Sequence, residues 1–309
     1  MSLARQALLR MSRSKWLAHQ ASHRAFARRA VRRFMPGEEP AAALDAARVL
    51  AGKGLGTLLT QLGENLTSLD EAAAVRDHYL WLCDQVRALG VPAQPSVKLT
   101  QFGLDLSDEA CTQNMLALAA RAEATGSFLW VDIEDSSYVD RTLAIFRRLR
   151  ERHEKVGLCL QAYLHRTPAD LEALLPLSPA IRLVKGAYAE PPAVAIPVKA
   201  EVDRAYVRIG ERLLEAAAVG QAFPVFGTHD LALVTRLTAY AAKAGVADGS
   251  WEIAMLYGIR AGEQERLARE GRRIRTLISY GEHWFPWYMR RLAERPANVW
   301  FVVRSLVTR

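Results

Sequence analysis

The sequence is poor in cysteine. Cys83, Cys111 and Cys159 lie far apart, are odd in number and lack metal-ligand spacing. That argues against a disulfide framework and for a reducing compartment. None has a local basic neighbour that would mark a nucleophile. No apolar run reaches the length of about 18 residues that a membrane-spanning helix needs. Walker and Gly-x-Ser-x-Gly sequences are absent, and no GxGxxG follows the first apolar run, which counts against a nucleotide-binding open sheet and a serine hydrolase. No Pro/Gly/Ser-rich linker divides the chain, so a second globular domain is not expected. Acid is absent from residues 1–37.

The basic balance follows from that last absence. Residues 1–37 hold nine of the 41 Lys and Arg, leaving 32 against 33 acids elsewhere. The net charge of +8 therefore describes an arm, and the body is close to neutral. Such an arm suits a membrane-surface helix, a transit segment or a nucleic-acid patch. Nucleic acid ranks last because the body shows no basic stripe. The plainer alternative is a helical extension packed on the body through Leu8, Leu9, Trp16, Leu17, Phe26, Val31 and Phe34. The expected division is a basic helical arm over 1–45 and a catalytic body over 46–309.

From residue 54 onward, short apolar runs alternate with amphipathic segments. The runs are Thr57–Leu62, Pro95–Leu99, Ser127–Ile133, Val156–Ala162, Ala180–Val184, Ala222–Phe226, Trp251–Leu256 and Arg275–Ser279. They suit strands buried on both faces, as in a parallel sheet. Ser68 and Ser107 read as N-caps, and Thr167 as a cap before Pro168. Eight such units give an α/β fold, a distorted (βα)8 TIM-type barrel with extra N-terminal helices.

Function in such a barrel sits where the strands end. Those ends supply Glu64, Lys98, Asp132-Ile133-Glu134-Asp135, Gln161, Arg182, Lys185-Gly186-Ala187-Tyr188, Thr228-His229 and Leu256. Lys98 and Asp132 should be paired or meet a ligand, since lone burial of either charge is costly. A Lys98–Asp132 salt bridge is the bland reading, and His229 read alone is more often structural than a base. Glu134 and Asp135 are thin evidence for Mg2+. Beyond the last run stand two adjacent arginines, Arg290 and Arg291, behind an aromatic cluster. Paired guanidinium forks suit a carboxylate or phosphate.

Three strings carry a resemblance: Lys98-Leu99-Thr100-Gln101-Phe102-Gly103-Leu104, Arg182-Leu183-Val184-Lys185-Gly186-Ala187-Tyr188, and Arg290-Arg291-Leu292-Ala293-Glu294-Arg295-Pro296-Ala297-Asn298. In this order the chain resembles the proline dehydrogenases, most closely the bacterial single-function form. The resemblance implies a flavin (FAD in the family, with FMN the alternative), a small cyclic amino acid as substrate and a quinone as acceptor. It implies that Lys98, Arg290 and Arg291 hold the substrate carboxylate, with Glu64 pairing the first arginine and Asp132 near Lys98. Arg182 would lie against the flavin. Ile133, Gln161, the Lys185-Gly186-Ala187 backbone, Thr228 and His229 would line it. Tyr188 and Leu256 would enclose the substrate ring. The chain departs from the pattern at Leu277 and Trp287, where the family carries tyrosines, which points to altered ring selectivity unless Tyr280 or another local residue compensates and the substrate is ordinary L-proline. Residence in the cytoplasm at the inner membrane face, by peripheral contact, fits this reading, as does a homo-oligomer. Against it stand dehydrogenation of hydroxyproline, pipecolate or a carrier-bound prolyl group, a flavin-free barrel binding a phosphorylated metabolite, and a basic adaptor for which the barrel is scaffold.

Overall fold

Eight short strands, each followed by a helix, close on themselves in this computed structural model, which describes residues 31–63 and 66–294 and, at Arg290, Ala293 and Glu294, the backbone alone. The strands are β1 Gly56–Gln61, β2 Ala93–Val97, β3 Leu129–Val131, β4 Val156–Gln161, β5 Ala180–Val184, β6 Phe223–Gly227, β7 Glu252–Leu256 and β8 Ile274–Tyr280. All pair in parallel in chain order, and β8 returns to β1 with Ser279 opposite Thr60. The helices are α1 Pro40–Ala51, α2 Leu69–Leu89, α3 Asp108–Ala124, α4 Val139–Arg150, α5 Thr167–Leu174, α6 Lys199–Ala218, α7 Leu231–Lys243, α8 Ala261–Arg269 and α9 Trp284–Glu294. The expected (βα)8 barrel is therefore the observed one. No helix among the described residues is long and apolar enough to cross a membrane.

Local chemistry starts the helices. The Ser68 hydroxyl accepts from Glu71 N at 3.3 Å and the Ser107 hydroxyl from Ala110 N at 3.2 Å, satisfying amides that a helix leaves open. Thr167 differs from its expected capping role. It is the first residue of α5, Arg166 occupies the cap, and the Thr167 hydroxyl donates to Gln161 O at 2.5 Å. The strand end takes the hydroxyl that the helix start was expected to use as an acceptor.

Two elements depart from a regular barrel. α1 packs on both β1 and β8, covering the flank where a helix following β8 would lie. Its Ala43, Leu44 and Ala47 belong to the main core, so the expected 45/46 division falls inside a core helix. α9 instead packs in a separate cluster with Val31, Phe34, Met35 and Leu62. A strap over 31–39 holds it: Gly281 N donates to Glu38 O at 2.8 Å, and Trp284 Nε1 to Glu38 Oε1 at 2.9 Å. Val31 and Phe34 pack as the extension reading expects. Leu8, Leu9, Trp16, Leu17 and Phe26 lie outside the described residues.

Candidate active site

Strand alternation sorts the wall into two faces. Leu58, Trp130, Ala180, Val225 and Ala254, with Phe128, Phe223 and Leu277, fill the barrel lumen as one cluster. Alternate residues such as Leu59, Val131, Ile181 and Ile278 join the outer core under the helices. Below the lumen cluster, Glu252 is buried against Arg275 and Arg273. This ionic layer closes the end of the barrel opposite the strand C-termini. Above it lies the indole of Trp130.

Trp130 fits because its neighbours make room. A Cβ on Gly157 would stand 2.6 Å from the ring, so only glycine is accommodated without displacement. The indole Nε1 donates to Gln94 Oε1 at 2.7 Å, and Phe128 lies at a centroid distance of 5.2 Å. Over the indole face, 5.2 Å from its centroid, sits the guanidinium of Arg182.

Arg182 is 4% exposed. It forms an ion pair with Asp132 and donates to the Ser96 hydroxyl at 3.0 Å; that hydroxyl donates to Asp132 Oδ1 at 2.9 Å. Two further small neighbours are Cys159, paired in register with Arg182, and Gly227, whose absent Cβ would lie 3.8 Å from Arg182 Cγ. Burial opposes the charge on Arg182, but Asp132 and Cys159 outweigh it and hold the pKa above the ordinary arginine value. Burial raises the Cys159 thiol, with Arg182 pulling the other way. The Arg182 Nη1 is buried and has no hydrogen-bond partner among the described residues. An unsatisfied buried donor costs about 1–3 kcal/mol, so this atom marks where a ligand would be stabilised.

The other predicted residues gather around this pair in part. Lys98 is half-buried and follows β2 directly, opening the Leu99–Phe102 turn. The ion pair made by Asp132 at the lumen is with Arg182, where a Lys98–Asp132 bridge was the bland expectation. Ile133 and Gln161 are buried, and Gln161 Nε2 donates to Glu134 O at 2.7 Å. Glu134 clamps Thr100, accepting from its N at 3.1 Å and from its hydroxyl at 2.7 Å. Asp135 caps the next turn through Ser137 N at 3.0 Å. These bonds account for the acidic pair, and no group of three metal-ligating side chains occurs among the described residues. Lys185 Nζ bridges Asp203 at 2.5 Å and Asp230 at 3.2 Å. Gly186 has φ +117°, and a Cβ there would strike the Tyr163 ring at 2.2 Å. Ala187 and Tyr188 are half-buried in the following loop, and Tyr188 O accepts from Tyr163 at 3.4 Å. Thr228 and His229 follow β6; Leu256 N donates to His229 Nε2 at 3.4 Å.

β8 separates its residues by parity. Leu277 faces the lumen. Tyr280 faces outward, fully buried, with its hydroxyl 2.8 Å from His78 Nε2. It therefore does not stand in for a lumen side chain at Leu277. Trp287 is buried in the α9 cluster with Trp284 and Tyr288. Arg291 is half-buried on α9. Glu64 and the Arg290 side chain lie outside the described residues, so the expected Glu64–Arg290 pair does too. Sequence reasoning missed Ser96, Trp130 and Cys159. Ser96 and Trp130 each fall two residues before a predicted site residue, at the spacing that puts both on one strand face.

Comparison with known proteins then decides the family. The model of the family described as proline dehydrogenase matches residues 43–304. The chain is a member of the proline dehydrogenase family. Proline dehydrogenase 1 of Bacillus subtilis subsp. natto is 34% identical over 276 residues, covering 89% of this chain and 90% of the relative. Proline dehydrogenase of Deinococcus radiodurans is 35% identical over 280 residues, covering 89% of each. Proline dehydrogenase 2 of Bacillus subtilis subsp. natto aligns over 99% of both chains at 32% identity. Among solved structures, proline utilization A from Bdellovibrio bacteriovorus, inactivated by N-propargylglycine, superposes with a TM-score of 0.79 at 23% identity. The match covers 86% of this chain and 32% of that one, so this proline dehydrogenase family member spans about a third of that protein's length. At this identity the likeness supports the barrel fold alone.

Proposed function

We propose that this chain oxidises L-proline to 1-pyrroline-5-carboxylate, with a flavin as hydride acceptor and a quinone as the onward acceptor. Family membership supports proline as the substrate. The single observation that carries the site is the Arg182–Asp132 pair at the lumen top, with a buried Arg182 Nη1 still to be satisfied. The residues present fit a flavin. Arg182 offers a cation to a group that gains negative charge on reduction. Gly186 takes a left-handed turn open to glycine, and the Tyr163 ring packs where a Cβ would stand, which fixes the path of the Lys185–Ala187 backbone.

In this reading a bound FAD would supply the acceptor for a hydride leaving the carbon beside the ring nitrogen of the neutral amine. The chain does the rest by positioning. Ile133, Gln161, the Lys185-Gly186-Ala187 backbone, Thr228 and His229 would hold the cofactor. Because the Lys185 ammonium is committed to Asp203 and Asp230, its contribution is through the backbone. Lys98, Arg290 and Arg291 fix the carboxylate, with Glu64 steadying Arg290. Asp132 anchors Arg182 near Lys98. Tyr188, Leu256, Leu277 and Trp287 enclose the ring. The basic N-terminal arm would bring the protein to an anionic membrane carrying the quinone.

A second reading, oxidation of hydroxyproline, pipecolate or a carrier-bound prolyl group, is favoured by Leu277, an alkyl wall facing the lumen with no hydroxyl supplied by Tyr280. Pocket changes of this size shift discrimination by about 1–3 kcal/mol. Anaerobic addition of each amine to the purified protein separates the readings. Bleaching of a bound flavin by L-proline at low millimolar concentration supports the first. Bleaching only by an analogue supports the second, and colourless protein after gentle purification overturns both.

A further inference from the structure

We propose that Trp130 is a positioning residue for Arg182, setting the height at which that guanidinium meets the ligand above it; this rests on the flavin reading of the site. The lumen cross-section carries the argument. Arg182 rises from β5 past three small neighbours, Ser96, Cys159 and Gly227. Small residues leave a long side chain room to move unless something else stops it. From below the stop is the indole face at 5.2 Å, and from the side it is Asp132 with Ser96. The indole itself cannot sink. It is 1% exposed, tied to Gln94 through Nε1 at 2.7 Å, and seated in the space that Gly157 leaves by having no Cβ.

A cation over a desolvated indole face is attracted by the ring's quadrupole, and the same contact fixes distance. Trp130 is thus a floor whose thickness determines where Nη1 stands. The floor also separates the Arg182 charge from the Glu252–Arg275 layer below, so that Arg182 answers to Asp132 and the ligand. Thinning the floor lets the guanidinium drop and weakens the positive charge felt by a reduced flavin. The carboxylate cations proposed for the substrate stand just after β2 and on α9, off this floor.

The test compares Trp130→Phe, Trp130→Tyr and Ser96→Ala with the wild-type holoenzyme, reading kcat, KM for L-proline, flavin midpoint potential and Tm. Trp130→Phe is expected to lower kcat about tenfold with KM within about twofold. The midpoint should move negative by about 30 mV, the equivalent of a tenfold change in a two-electron equilibrium. Trp130→Tyr, which keeps a donor at the far edge of the ring, should retain more of both. Ser96→Ala should shift the potential in the same direction by less. Wild-type kcat and potential in Trp130→Phe overturn the proposal. So does a loss in which KM and Tm change with no shift in potential, because packing alone would then explain it. A wild-type protein that holds flavin but is not reduced by L-proline sinks the substrate assignment instead. In that case the potential shift, measured with a chemical reductant, still decides the role of Trp130.

Discussion

The lumen and the cap formed by α9 with the 31–39 strap differ in how they hold an arginine. Both put arginine near the mouth of the barrel. In the lumen, Arg182 stands on a β-strand, with partners on β2, β3 and β4 that belong to the closed sheet. In the cap, Arg291 stands on α9, whose packing partners include the strap residues Val31, Phe34 and Met35. The first arrangement is as stable as the barrel. The second depends on a contact across 246 residues of chain, from Glu38 to Trp284. In the proposed reading, a fixed charge and a surface for entry and exit would then rest on elements of different stability.

The largest expected effect lies in the lumen. Asp132→Ala leaves the Arg182 guanidinium buried beside Ser96 without its counter-ion, a loss on the order of 3–5 kcal/mol. Thermal melting should show a fall on the order of 10 °C, and adding Arg182→Met should recover part of it. An unchanged Tm would mean that the pair is not the buried one described.

A smaller and more local effect is expected where the strap meets the barrel. Gly258 has φ +72°, and a Cβ there would lie 1.6 Å from the Arg33 carbonyl oxygen. Gly258→Ala therefore combines left-handed backbone strain with a clash that no side-chain rotation relieves, together about 1–3 kcal/mol. Hydrogen exchange should quicken over 31–39 and in α9 while β1–β8 keep their protection. Equal loss in the strands would erase the distinction between cap and barrel.

The two regions also differ in how far the sequence announces them. The barrel is legible because each strand is a short apolar run, and burial on both faces leaves that signature locally. The strand-end residues are legible because polar side chains next to such runs are costly without a purpose. Trp130 and Gly157 are not legible as a pair. Each is ordinary alone, and only the register that opposes them makes the missing Cβ meaningful. Ser96 is hidden for the same reason, since a serine in a strand becomes a third partner of an ion pair only after closure. In the cap, the aromatic cluster before Arg290 is visible as composition. Its packing against Val31–Met35 is not, because nothing in a local window links the two ends of the chain.

The smallest effect tests the seam between the two regions. His78, on α2, has Nε2 2.8 Å from the hydroxyl of Tyr280, the last residue of β8, and its ring lies 5.6 Å from that of Tyr79 and 5.7 Å from that of Trp81. Gly281, the next residue, is already tied to the strap. Burial lowers the His78 pKa from 6.5, so the folded protein holds this ring neutral at a pH where the unfolded chain takes a proton. Unfolding then binds protons, and stability rises with pH between the depressed folded value and 6.5. Above that window both states are neutral and His78 contributes no slope. Lowering the pH through it should reduce Tm by on the order of one degree more in the wild type than in His78→Gln, which keeps a hydrogen-bonding group for Tyr280. Parallel Tm–pH curves for the two proteins would show that His78 is not held neutral. A difference confined to exchange in α9 would place the seam in the cap, whereas a difference shared by all strands would place it in the barrel.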